Sequence, residues 1–172
     1  MRRWLEAALL ATGLSLVCAA GWRWTERSVV EARPQLASIL RPGLKLAGTL
    51  DIPRLRMHVL VLEGDEQDAL SISAEHVPGT AELGSHGNAA IAAHRDAEFR
   101  VLRGIRLGDR VRIRSAATYI YVVKNIRVVG ADDKTALSQD GRSLLTLVTC
   151  YPFRYVGNAP ERFIVQAELE GT

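Results

Sequence analysis

From Leu46 onward the hydrophobic positions recur with a period near two, in short runs broken by turn residues. LAGTLDI (46–52), MHVLVLE (57–63), NAAIAA (88–93), RVRIR (110–114), YIYVVKNIRVV (119–129), SLLTLVTC (143–150) and RFIVQAEL (162–169) read as strands, rich in Val, Ile, Leu and Tyr. Pro53, Glu63-Gly64-Asp65, Pro78-Gly79, Gly108-Asp109, Gly130 with Asp132-Asp133, and Asp140-Gly141 punctuate them. The pattern leaves room for short helices at Glu66–Ile72 and Glu98–Ile105. Seven or eight strands at this spacing predict a mainly-β (all-β) domain over residues 46–170, a small closed barrel or a sandwich.

The first 24 residues follow a different pattern. MRRWLEAALLATGLSLVCAAGWRW has a basic start, an apolar middle and tryptophans at both ends. Between Trp4 and Trp22 lie nineteen residues, ends included, with Glu6 the sole charge. That length spans a bilayer, with Trp4, Trp22 and Trp24 in the place of an aromatic belt. The expectation is an N-terminal transmembrane anchor over residues 1–24, crossing through residues 4–22. The short N-terminal overhang stays inside and the domain faces outward. A cleaved signal peptide, with small residues at Ala19-Ala20, is the competing reading. Residues 25–45 follow as a stalk, whose helical start is broken by Pro34, Pro42 and Gly43.

Charge sharpens this division. The chain carries a net charge of +3. Residues 1–45 hold seven basic and three acidic side chains, whereas residues 46–172 hold fifteen basic and sixteen acidic. The excess basicity belongs to the N-terminal segment, and the domain has no basic stripe with interleaved aromatics, so nothing points to nucleic acid.

Of the two cysteines, Cys18 lies inside the apolar N-terminal segment, where pairing with Cys150 is geometrically awkward, which leaves Cys150 as a candidate free thiol. Among four histidines, His58 sits within a strand, and His76 and His86 lie in a glycine- and proline-containing loop. His94 ends the run NAAIAAHR, where small residues leave space and a strand end holds a side chain at a rim. No CxxC or HxxxH spacing supports a zinc site, and the acidic cluster around Glu63–Asp68 lacks the calcium-loop pattern. Cys150, His94 and Arg162 together supply a nucleophile, a proton carrier and a fixed cation for an oxyanion. Spacing alone does not bring them together, and an inert buried Cys150 fits the residue types equally well.

The literal strings go further. Thr146-Leu147-Val148-Thr149-Cys150 resembles the TLxTC signature of sortases, the membrane-anchored cysteine transpeptidases. NAAIAAHRDAEF (88–99) is similar to that family's histidine region, commonly GHRDTxF after a small-residue strand. IRLGD (105–109) resembles the LxxGD turn that follows, and Arg162 stands at the position of the family's arginine. TLVTCYPF, with HVPGTA at 76–81, looks most like class D. Ala93 and Ala97 depart from the glycine and threonine common at their positions. The resemblance covers residues 46–170 and implies an eight-stranded barrel. It also implies a reaction without a cofactor: Cys150 as nucleophile, His94 as general acid and base, and Arg162 positioning the substrate and stabilising the oxyanion; no calcium site is carried over, because its ligands find no match here. The partners it implies are proteins with a C-terminal LPxTG-like sorting signal and an amine acceptor, such as a cell-wall peptide or a pilin lysine.

Two other readings stand beside it. Ser85-His86-Gly87 prompts an L,D-transpeptidase-like enzyme, but Asn88 stands where that chemistry needs a cysteine. The non-enzymatic reading is a membrane-tethered barrel that binds peptides with an inert thiol.

Overall fold

In the computed structural model, residues 45–64, 73–139 and 141–171 are described. The anchor at 1–24, nearly all of the stalk and the helix expected at Glu66–Ile72 lie outside them. The strands are β1 (Leu46–Ile52), β2 (Met57–Glu63), β3 (Ala74–His76), β4 (Asn88–Ala92), β5 (Arg110–Arg114), β6 (Thr118–Gly130), β7 (Leu144–Tyr151) and β8 (Glu161–Leu169). They close into a barrel in the order β1-β2-β3-β4-β7-β8-β6-β5, with β5 returning to β1. Six of the strand pairs are antiparallel, while β2–β3 and β4–β7 are parallel.

The period-two pattern has a direct structural meaning. Alternate residues Leu50 and Ile52, Val111 and Ile113, Leu145 and Leu147, and Val165 and Ala167 are buried in one core. A 3-10 segment, Glu98–Gly104, lies where the helix was expected and adds Phe99 and Leu102 to that core. Gly48 lies at a register shift of β1 and faces the β5–β6 turn, where an added Cβ would come within 2.4 Å of the Arg114 carbonyl oxygen. A side chain there would push β1 away from the turn and strain the closure.

Strand β3 is the one that the hydrophobic pattern misses. At three residues, AEH, it is too short to show a period. Its pairing fixes it instead: Val61 with Ala74 on one side, His76 with Ile91 on the other. His76 is therefore a buried strand residue rather than a loop residue. Its Nδ1 lies 3.0 Å from Glu63 and its Nε2 2.9 Å from the Ala81 carbonyl.

Strand β7 carries the site because its outward face changes along its length. Leu145, Leu147 and Thr149 point inward, and Leu144, Thr146, Val148 and Cys150 point outward. At the start of the strand the outward residues are covered by the β6–β7 connection. Thr146 donates to Asn88 Oδ1 at 2.7 Å, Asn88 Nδ2 donates to the Ala136 carbonyl at 2.9 Å, and Gln166 Nε2 donates to the same carbonyl at 3.3 Å. Gln139 exchanges two further bonds with the Asn88 backbone. Beyond Thr146 the cover ends, and Val148 and Cys150 are only partly buried.

Candidate active site

Register sets two of the candidate residues side by side on the outer face and the third shortly beyond the end of a neighbouring strand. Cys150 pairs with Arg162 across the antiparallel β7–β8 ladder, so both side chains leave the sheet on the same side. On the other flank β4 runs parallel to β7 with Ala92 opposite Val148. His94 lies two residues past Ala92, and Cys150 two residues past Val148, so both follow shortly after the last β4–β7 pair. Cys150 is a free cysteine, partly buried, and the His94 side chain is exposed.

The backbone around His94 is tightly held. The Ala93 N–H donates to the Val148 carbonyl at 3.3 Å. The Thr149 hydroxyl, itself buried, donates to the Ala93 carbonyl at 2.7 Å. The Phe99 N–H donates to the His94 carbonyl at 3.1 Å. Thr149 faces inward, so it shapes the site through Ala93 and is not a surface for substrate.

Three charged groups surround this centre. Arg162 Nη1 donates to the Ala159 and Glu161 carbonyls at 3.1 and 2.9 Å, which anchors the guanidinium and leaves Nε and Nη2 without a protein partner among the described residues. Glu75, paired with Ala92 across β3–β4, is raised above the usual carboxyl range by burial and drawn partly back by the charge of His94. Arg95 reaches across to the β7–β8 loop, residues 152–160, and donates to the Tyr155 and Gly157 carbonyls at 2.9 and 3.3 Å. Tyr151, Phe153 and Phe163 pack ring against ring at the base of that loop, with centroids 5.1–6.2 Å apart.

The other histidines lie apart from this centre. His58 is an exposed outer-face residue paired with Asp51 at 2.7 Å, His76 is the buried residue described above, and His86 is exposed before β4. The IRLGD turn is structural. The Asp109 carboxylate accepts from the Arg106 N–H at 2.8 Å and from Arg54 Nη2 at 2.6 Å, and Gly108 adopts φ +84°. Arg54 and the Arg106 N–H hold this carboxyl below the usual range. Glu75 and Arg95 carry no signal in the sequence that singles them out, whereas Thr149 stands in the TLVTC string as a strand residue and holds the Ala93 carbonyl through one buried hydrogen bond.

With this geometry in hand, comparison with known proteins is decisive: residues 50–170 match the sortase domain family. The chain belongs to the sortase family. It is 32% identical over 121 residues to Sortase D of Bacillus subtilis (strain 168), an alignment that covers 69% of this chain and 61% of that protein. The aligned part thus spans about three fifths of that relative's length. Among solved sortases, a Clostridium perfringens Sortase D5 transpeptidase superposes with a TM-score of 0.67 at 27% identity, over 82% of this chain and 88% of that one. Sortase A from Corynebacterium diphtheriae superposes with a TM-score of 0.69 at 26% identity, over 77% and 64%. The eight-stranded closed barrel is therefore the sortase barrel, and Cys150 lies near the end of its TLVTC strand.

Proposed function

We propose that this sortase is a cysteine transpeptidase that cleaves a C-terminal LPxTG-like sorting motif and transfers the new carboxyl end to an amine of the cell envelope. One observation supports the reading: Cys150 faces Arg162 across β7–β8, while the parallel β4 ends at Ala92, opposite Val148, and leads into His94. The Cys150 thiolate attacks the scissile carbonyl carbon. Arg162, planar and permanently charged, donates through its unengaged nitrogens to the developing oxyanion and the neighbouring peptide carbonyl. His94 gives its proton to the departing amine as the C–N bond breaks, leaving a thioester on Cys150. An acceptor amine then attacks the thioester, loses a proton to His94 and releases the thiolate. The balance closes without cofactor or metal.

Residues 4–22 anchor the enzyme as a single membrane span, with the catalytic domain on the extracytoplasmic side, where sorting signals and cell-wall amines meet.

The test uses the full-length protein in detergent micelles with a panel of LPxTG-like peptides, read by intact mass. The expected result is a peptide adduct that is absent in Cys150→Ala and that an added amine releases as a ligated product. A wild-type chain forming no adduct with any peptide, and whose Cys150 also resists iodoacetamide, would refute the transpeptidase reading.

A further inference from the structure

We propose that Arg95 is a positioning residue, which fixes His94 by tying the turn that carries it to the β7–β8 loop. The inference rests on the pairing of His94 with Cys150 proposed above, and deepens it.

The need for such a tie is visible in the fold. The β4 strand ends at Ala92, and His94 belongs to the link between that strand and the 3-10 segment at Glu98. Its side chain is exposed, and no hydrogen bond holds the imidazole among the described residues. The Thr149 and Phe99 contacts fix the peptide units on either side of His94. Neither reaches forward over the site to the loop that follows Cys150.

Arg95 does. It is the next residue in the chain, and its Nη2 is shared by two carbonyls sixty and sixty-two residues away, Tyr155 at 2.9 Å and Gly157 at 3.3 Å. Its guanidinium carbon stands 5.9 Å from the centroid of the Tyr155 ring. A planar cation makes all of these contacts at once, whereas an ammonium on a flexible stem does not. Arg95 Nη1 is buried without a protein partner, so the Nη2 contacts and the ring are what hold the guanidinium in place.

The loop is gripped from its other end by Arg162, whose Nη1 donates to the Ala159 and Glu161 carbonyls. Two arginines on opposite flanks of Cys150 thus hold the same loop. Through it the histidine turn, the loop and Arg162 become one unit. Between these arginines the loop is exposed from Arg154 to Asn158, with Val156 98% accessible. Loss of Arg95 detaches the histidine end while leaving the Arg162 end in place.

The test needs no knowledge of the natural substrate. Wild type, Arg95→Ala, Arg95→Lys and His94→Ala are prepared as full chains in detergent. Two quantities are followed: the pH dependence of Cys150 alkylation by iodoacetamide, read on its own tryptic peptide, and the rate of limited tryptic cleavage after Arg154. In Arg95→Ala, cleavage at Arg154 rises about tenfold, the scale set by losing a pair of modest hydrogen bonds. Its alkylation profile moves most of the way to that of His94→Ala, and Arg95→Lys falls between them. Arg95→Lys keeps charge and stem, and carries the test if the alanine variant loses its far-UV spectrum. An Arg95 profile that superimposes on wild type, with or without faster cleavage, overturns the proposal and leaves the transpeptidase reading intact. A His94→Ala profile identical to wild type instead removes the thiol–imidazole pair, and this proposal with it.

Discussion

The buried hydroxyl of Thr149 donates to the Ala93 carbonyl at 2.7 Å, joining the residue before the thiol to the residue before the imidazole. Thr149→Val preserves the shape and removes the donor, leaving a buried carbonyl unpaired at a cost of about 1–3 kcal/mol. A small misplacement of His94 should then lower peptide acylation by about 100-fold. Thr149→Ser restores the hydroxyl and should recover most of the rate. Denaturant titration and stopped-time acylation of the three proteins provide the check; a fully active valine variant would show that the bond is dispensable.

Arg162 faces Cys150 and is anchored through Nη1. Arg162→Lys keeps the charge but cannot both hold the Ala159 and Glu161 carbonyls and present two further parallel donors. Acylation by an LPxTG-like peptide should fall by about 100-fold or more, the scale of losing an oxyanion donor. Single-turnover mass spectrometry measures it, and near-normal acylation would reduce Arg162 to a barrel residue.

Asp109 gives a pH signature to the fold. Its carboxyl is held below the usual range by Arg54, with the Arg106 N–H assisting. A depressed folded-state pKa stabilises the fold above the unfolded value of about 3.9, and that contribution is lost as pH falls through the folded value. Wild type should therefore exceed Asp109→Asn in denaturation midpoint at pH 7, and the gap should close below about pH 4. A gap that stays constant down to pH 2.5 would contradict the pairing.

Thr146 and Asn88 secure the cover over the start of β7. Thr146→Val takes the donor from buried Asn88 Oδ1 and should destabilise the domain by about 1–3 kcal/mol. Because the cover borders the open outer face, the same change should raise KM for the peptide more than it lowers kcat. Thr146→Ser is the matched control, and equal KM values for all three proteins would separate the cover from peptide binding.

Seven of the eight strands were legible from period-two patterning, with boundaries that differ from the structure by a residue or so at β4, β6, β7 and β8. Strand β3 was not, because three residues carry no period and its partners are supplied by β2 and β4. Closure through the β1–β5 pair was likewise beyond local pattern, which left barrel and sandwich equivalent until the order of pairing was known. For the site, the strings around His94, Cys150 and Arg162 named the candidate groups through resemblance, and register sets Cys150 opposite Arg162. The partners of the supporting residues left no comparable trace. Thr149 and Arg95 act on backbone carbonyls fifty-six to sixty-two residues away, and a carbonyl belongs to every residue alike.

The parallel pairing of β4 with β7 has a consequence for the life history of the chain. All of β5 and β6 must be made before β7 can lie beside β4, and loop closure of this length is among the slower steps of a folding reaction. The two halves of the proposed reactive pair, His94 and Cys150, therefore meet only when the barrel is nearly complete. On the proposed mechanism, a nascent or half-folded chain carries a thiol with no proton acceptor beside it, so reactivity toward passing peptides is withheld until the scaffold that selects among them is in place.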